Sequence, residues 1–242
     1  ASCPIPVKIG PADAFNLIYS SGTTGAPKGI VQSHGMRWSH ILRAIYPPSA
    51  VTLISTPLYS NTTLVSLIPT MGAGGTVIIM PKFDTRRYLD LAERHKVTHT
   101  MLVPVQFRRL LDDPSFDDRD LSALQAKFAT SSPFSAELKR EVLERWPGRL
   151  VEFYGSTEGG GTCRLDAHEH PDKLHTVGRP LPGHDIRILG EDGREGRRDS
   201  VGEVVGHSPA MMSAYHNQPE ATAAAEWYSV NRKRFIRSGD LG

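Results

Sequence analysis

Between Val51 and Tyr154 the chain alternates short β-branched or apolar runs with segments of helical spacing, and this alternation leaves few folds open. The runs are VTLIS, TVIIM, VTHTML and LVEFYG. TRRYLDLAERHKV and SAELKREVLERW carry charged outer faces, and the second has a serine start signal at Ser135. Strands joined by helices of this length pair in parallel, with the helices on the faces of the sheet. The expected fold class is therefore α/β, a mostly parallel sheet layered with helices, and ligands of such sheets collect at the carboxyl ends of the strands. After about residue 176 the texture changes to VGRPLPGHDIRILGEDGREGRRDSVGEVVGHS, where apolar runs are separated by Pro-Gly and Asp-Gly turns. That is the grammar of hairpins, and a small β-rich subdomain is expected there. Three segments follow from this: residues 1–50, 51–176 and 177–242.

Composition closes off other classes. At 242 residues, with 39% hydrophobic and 22% charged residues, the chain can bury a core and is neither disordered nor fibrous. A formal charge of +2 provides no global field for nucleic acid. Cys3 and Cys163 stand far apart with no metal-ligand spacing, which suits a reducing compartment and a cytoplasmic location. The most apolar stretch, Leu64 to Met80, is broken by a proline and glycines; it reads as helix, turn and buried strand rather than a transmembrane segment. Residues 1–12 show no signal peptide. The abrupt start and the SGDLG ending suggest a piece of a longer chain.

YSSGTTGAPKG, from Tyr19 to Gly29, follows AFNLIYS, which reads as a short buried strand. Glycines let backbone amides approach a ligand, hydroxyls add donors, and Lys28 supplies charge, a combination suited to a polyphosphate. Gly25 lies three positions before Lys28, so the spacing is not that of the usual nucleotide loop.

The stretch YSSGTTGAPKGI closely resembles the signature phosphate loop of the adenylate-forming superfamily, which includes acyl-CoA synthetases. STPLYSNTT, FATSSPFS, EFYGSTEGGG and the run from VGRPLPG to FIRSGDLG agree with it in order and spacing. The resemblance implies a truncated acyl-CoA synthetase-like fold in which the β-rich part is a distorted barrel. It also implies ATP-dependent conversion of a carboxylic acid, fatty or aromatic, to an acyl-adenylate with release of pyrophosphate, then transfer to the thiol of coenzyme A. An adenylation domain that loads a carrier protein, and a non-catalytic nucleotide-binding remnant, are the alternatives. Oligomeric state is left open.

By resemblance, Ser21, Gly22, Thr23, Thr24 and Gly25 hold the β- and γ-phosphates with Lys28 supporting the charge. Tyr154 stacks on adenine, Thr157 contacts the α-phosphate, and Glu158 holds Mg²⁺. Lys28, Thr157 and Glu158 are the catalytic candidates. Asp240 accepts from the ribose hydroxyls, while Ser131, Ser132, Pro133 and Gly155 line the nucleotide; Ser131 and Ser132 stand where the family commonly has glycines. Tyr59 and Asn61 belong to the acyl site, where Ser60 replaces a histidine frequent in the family. No aspartate occurs between Thr52 and Thr70, which disfavours an amino-acid substrate. Gly159, Gly160 and Gly161 either leave room along the acyl pocket or form a flexible loop. Full members of the family are longer, and a C-terminal domain of the same enzyme carries a catalytic lysine, so the isolated chain is expected to be inactive. His168, His170 and His175, with Glu169 and Asp172, lack the spacing of a known zinc site, and His34 is read as a helix-start residue.

Overall fold

The computed structural model describes residues 7–20, 27–43, 45–197 and 199–242. It opens with a hairpin of β1 (Ala14–Ser20) and β2 (Lys28–Ser33), followed by α1 (His34–Leu42). The alternating region then supplies β3 (Val51–Ile54), α2 (Asn61–Gly72), β4 (Thr76–Ile79), α3 (Thr85–Arg94) and β5 (His99–Leu102). It continues with α4 (Pro104–Leu111), β6 (Ala126–Ala129), α5 (Ala136–Arg145) and β7 (Arg149–Gly155). β8 (Thr162–Asp166) and β9 (Arg179–Pro180) turn back antiparallel. The remainder comprises β10 (Asp185–Leu189), β11 (Glu203–His207), β12 (Ala214–Tyr215), α6 (Pro219–Ala224), β13 (Glu226–Tyr228) and β14 (Arg234–Leu241).

The main sheet has seven strands in the order β4-β3-β5-β6-β7-β8-β9, and every pair from β4 through β7 is parallel. Successive strand residues face opposite layers. Leu102 and Leu150 enter a core with Tyr88, Phe107 and Trp146, whereas Met101 and Val151 enter a second core with Tyr46 and Phe128 on the other face. The sheet is thus covered on both sides, as parallel sheets require. Local signals set the helix starts: Ser33, Asp84 and Ser135 each accept a hydrogen bond from a backbone amide in the first turn of the helix that follows.

Three expectations change. β1 is largely exposed, with only Ile18 buried and Tyr19 63% exposed, because it pairs only with β2 at the edge of a three-stranded sheet, β1-β2-β12. β4 is likewise an edge strand, and Ile79 is 48% exposed. The β-rich part is an open antiparallel sheet, β10-β11-β14-β13, with no closed barrel among the described residues. The segments also interleave: residues 177–242 lend β9 to the main sheet and β12 to the hairpin sheet. Among the described residues no helix is long and apolar enough to cross a membrane.

Lys127, fully buried on β6, donates from Nζ to the carbonyls of Trp146 (2.9 Å), Pro147 (2.6 Å) and Gly148 (2.7 Å). The three hydrogens of its ammonium thereby satisfy the turn from α5 into β7. Lys127→Met leaves those carbonyls unpaired and is expected to cost on the order of 3 kcal/mol. Urea unfolding checks this, and an unchanged midpoint would contradict it.

Candidate active site

The parallel strands β3, β5, β6 and β7 end at one edge of the main sheet, and the loops that follow them carry most of the residues singled out from the sequence. Tyr154 and Gly155 close β7, with Thr157 and Glu158 in the turn beyond. That turn is fastened from several directions. Gln32 of β2 donates to the Thr157 carbonyl at 2.9 Å, Met212 N–H donates to the Glu158 carbonyl at 2.7 Å, and the Ser208 hydroxyl donates to the Gly159 carbonyl at 2.6 Å. Gly159 has φ +72°, and a Cβ there would lie 1.9 Å from the Ala210 carbonyl oxygen. A Cβ on Gly160 would meet Ile236 at 2.6 Å. Gly159, Gly160 and Gly161 therefore serve close backbone packing against the β-rich sheet, and neither cavity beside Thr157 is lined by them.

On one side of β7 a cleft is lined by Ser131, Ser132, Pro133, Tyr154, Gly155 and Asp240. The Tyr154 hydroxyl donates to Asp240 Oδ2 at 2.7 Å; burial and then the Asp240 carboxylate push the phenol up to about 12. Asp240 sits near the end of β14. Ser131 adopts φ +80°, a left-handed backbone that explains why glycine suits this position, and its hydroxyl shares a 2.7 Å hydrogen bond with Thr62. In the wall of the cleft lies a pair no sequence motif marked, Lys139 and Glu152, 2.5 Å apart and buried. Lys139 Nζ further donates to the carbonyls of Leu174 and Thr176, fixing the loop on that wall. Burial pushes the Glu152 carboxyl up, opposed by Lys139.

On the other side lies Lys28. Its Nζ is 5.1 Å from the ring centroid of Tyr215, whose hydroxyl donates to Glu158 Oε1 at 2.9 Å. The Tyr215 ring thus bridges the foot of the glycine-rich loop and the acidic turn. Ser20 pairs with Lys28 across the hairpin, while Ser21, Gly22, Thr23, Thr24 and Gly25 lie outside the described residues. The buried Arg37 guanidinium of α1 donates to three side-chain amide oxygens: Gln32, Asn16 at 3.1 Å and Asn61 at 2.9 Å. Burial lowers it to about 10. Arg37 and Gln32 had no sequence motif to mark them, since the contacts that define them span separate elements.

Two cavities meet at Asn61, Thr62, Ser131 and Thr157. An open one also takes in Tyr59, itself 81% exposed, together with Thr56 and Arg109. A narrower one, of about 120 Å³, is lined by His40, Arg43, Ile45, Val65, Met101 and Phe153. His34 begins α1, but Ser33 supplies its cap, and the His34 ring packs edge-on to Phe15. His168 lies 3.4 Å from Glu169, and among the described residues no group of three or more His, Cys, Asp or Glu is arranged to hold a metal.

Burial, with the charges of Arg43 and Arg37, lowers the His40 imidazole to about 3. Burial lowers His99 and His184 to about 4, aided by Arg149 for the first and by Arg43 and His207 for the second. Each ring is neutral in the fold and has an ordinary value near 6.5 when unfolded, so below about pH 6.5 the unfolded chain binds protons that the fold refuses. The melting temperature should fall as the pH drops from about 6.5 toward 4. His40→Gln should make that fall shallower; an unchanged slope would contradict the assignment.

A sequence model described as AMP-binding enzyme matches residues 3–216. Indoleacetate–CoA ligase of Aromatoleum aromaticum is 34% identical over 252 residues, covering 99% of this chain and 47% of the ligase. Feruloyl-CoA synthase of an Amycolatopsis species is 31% identical, covering 98% and 48%. Among solved structures, the inhibitor-bound N-terminal domain of FACL13 from Mycobacterium tuberculosis aligns with a TM-score of 0.84 at 28% identity, covering 99% of this chain and 59% of that domain. ATP-bound MatB from Rhodopseudomonas palustris aligns with a TM-score of 0.83 at 29% identity, covering 98% and 47%. The chain spans about half the length of the curated relatives it matches.

Proposed function

The chain belongs to the AMP-binding enzyme family, and from that premise we propose that the protein carrying it joins a carboxylic acid to coenzyme A through an acyl-adenylate, with AMP and pyrophosphate as co-products. The observation that carries this reading is the Tyr154–Asp240 hydrogen bond beside the Thr157–Glu158 turn. It brings an aromatic face, a ribose-sized acceptor and a hydroxyl donor to one strand end, and the turn beyond is tied through Gln32 to the strand that begins at Lys28. In this reading Tyr154 stacks on adenine, and Ser131, Ser132, Pro133 and Gly155 line its cleft. Asp240 accepts from the ribose, keeping Oδ1 for that purpose while Oδ2 accepts from Tyr154. Ser21, Gly22, Thr23, Thr24 and Gly25, with Lys28, take the β- and γ-phosphates.

Adenylation requires a carboxylate oxygen to meet the α-phosphorus in line while charge moves to the departing pyrophosphate, so the protein contributes mainly positioning and electrostatic stabilisation. Thr157 donates to the α-phosphate from a turn whose backbone is held on three sides, so little reorganisation is needed during reaction. Glu158 has one oxygen committed to Tyr215 and a second without a partner among the described residues, a hard oxygen donor that fits Mg²⁺. When bound, Mg²⁺ would neutralise phosphate charge. The acid lies in the cavities that meet at Asn61, with Tyr59 at the open mouth.

The apolar lining by Ile45, Val65, Met101 and Phe153, and the aromatic acids named for two of the relatives, support an aromatic acid over an alkyl one. The buried Cys163, its thiol pushed up to about 11 by burial, is consistent with a reducing, cytoplasmic location.

The full-length protein, given ATP, CoA and an aromatic acid, should release AMP and pyrophosphate only when the acid is present; ADP as the nucleotide product would overturn the proposal. Asp240→Ala removes charge-assisted hydrogen bonds worth about 1.5–3 kcal/mol each, and steady-state kinetics should show a KM for ATP raised at least tenfold. A change confined to the KM for the acid would contradict the ribose role.

A further inference from the structure

The narrow cavity behind Thr157 is apolar over part of its lining and cationic over another. Val65, Met101 and Phe153 supply the first; His40 and Arg43, from the end of α1, supply the second. His40 is 6% exposed, and its Nδ1 has no hydrogen-bond partner among the described residues. Arg43 is half-buried, and burial alone accounts for its lowered pKa, with no acidic neighbour acting against it. Arg37, behind them, is answered only by neutral amides. Residues 1–6, 21–26, 44 and 198, outside the described set, include no Asp or Glu. No carboxylate of this chain is thus on hand for this wall.

The other well-covered cations of the protein are answered, either by a carboxylate, as Lys139 by Glu152, Arg234 by Glu226 and Arg187 by Asp185, or by a full set of acceptors, as Lys127 by three backbone carbonyls. A covered charge without a counter-charge is costly, and an unpartnered buried donor adds to that cost. A basic residue at a helix C-terminus gains from the helix dipole, which accounts for an Arg43 in this position. It does not account for the unpartnered Nδ1 of His40, a side chain that lines the same cavity.

We infer that the acid has a second carboxylate, remote from the one that is adenylated, which binds Arg43 and His40 across an apolar spacer lying against Val65, Met101 and Phe153. The inference rests on the reading of this cavity as the acyl site. A guanidinium offers paired donors matched to a carboxylate, and His40 in its Nδ1–H tautomer donates one hydrogen bond more. The protein is therefore selective for an aromatic dicarboxylic acid, and the free second carboxylate is retained in the thioester product.

The test compares cinnamic acid with 4-carboxycinnamic acid, which share a spacer and differ in the distal group, using the full-length protein. Acid-dependent pyrophosphate release should give a kcat/KM at least tenfold higher for the diacid, and Arg43→Met should lower the diacid-to-monoacid ratio at least tenfold, chiefly through KM. Arg43→Lys, which retains charge without the fork, should fall between. A wild-type preference for cinnamic acid, or an Arg43→Met ratio equal to wild type, would overturn the inference, the latter outcome assigning Arg43 to the helix end. If neither acid releases pyrophosphate, the proposed reaction fails instead. A thermal-shift measurement then decides the inference separately: stabilisation by the diacid alone, lost in Arg43→Met or, should that variant not fold, weakened in Arg43→Lys, supports it, and equal shifts from both acids overturn it.

Discussion

Three separate sheets touch at one short turn, Ser156–Gly161, and the site depends on that contact. The turn leaves β7 of the main sheet, takes a hydrogen bond from Gln32 of the hairpin sheet, and takes two more from Ser208 and Met212 beside the β-rich sheet. Close approach is what makes this work: the Gly160 carbonyl lies against Gly206, where a Cβ would come within 1.5 Å of its oxygen. Backbone polar groups that would otherwise be buried without partners are satisfied across the junction. Thr157 and Glu158 are thereby carried on a rigid support although they stand in a loop, as a preorganised site requires.

Charge is handled in two ways around this junction. Where a cation serves structure it is matched or fully hydrogen-bonded, as with Lys139 against Glu152 and Lys127 against three carbonyls. Around the cleft, cations stand, among the described residues, with neutral partners or none: Lys28 beside the Tyr215 ring, the buried Arg37 among amides, Arg43 at the narrow cavity. That asymmetry suits a site whose ligands bring the negative charge with them, first as triphosphate and then, on the inference drawn above, as a second carboxylate.

Much of the fold was legible in the sequence because it is written locally. The strand–helix alternation from Val51 to Tyr154 and the Ser135 cap depend on neighbours a few residues apart, and they appear where the pattern puts them. Burial was less legible, because apolar residues in AFNLIYS and TVIIM do not reveal that their strands lie at sheet edges. α4 escaped notice because it is short and opens on Pro104, a residue that reads as a break until it is seen at the first helical position. Around the site, motif residues such as Tyr154, Thr157 and Asp240 were visible, but their supports were not. Gln32 reaches Thr157 across 125 positions and Tyr215 reaches Glu158 across 57, separations over which local pattern holds no information. The glycine run looked like space or mobility, and only the packing against Ala210 and Ile236 gives it a reason.

The central claim is that this junction supports an adenylate formed reversibly from ATP and an acid before any thiol is engaged. Isotope exchange between labelled pyrophosphate and ATP, measured on the full-length protein without CoA, tests that claim most directly. Exchange that requires the carboxylic acid and saturates with it is the result the account predicts. Exchange that proceeds without the acid, or appears only once CoA is added, would contradict it.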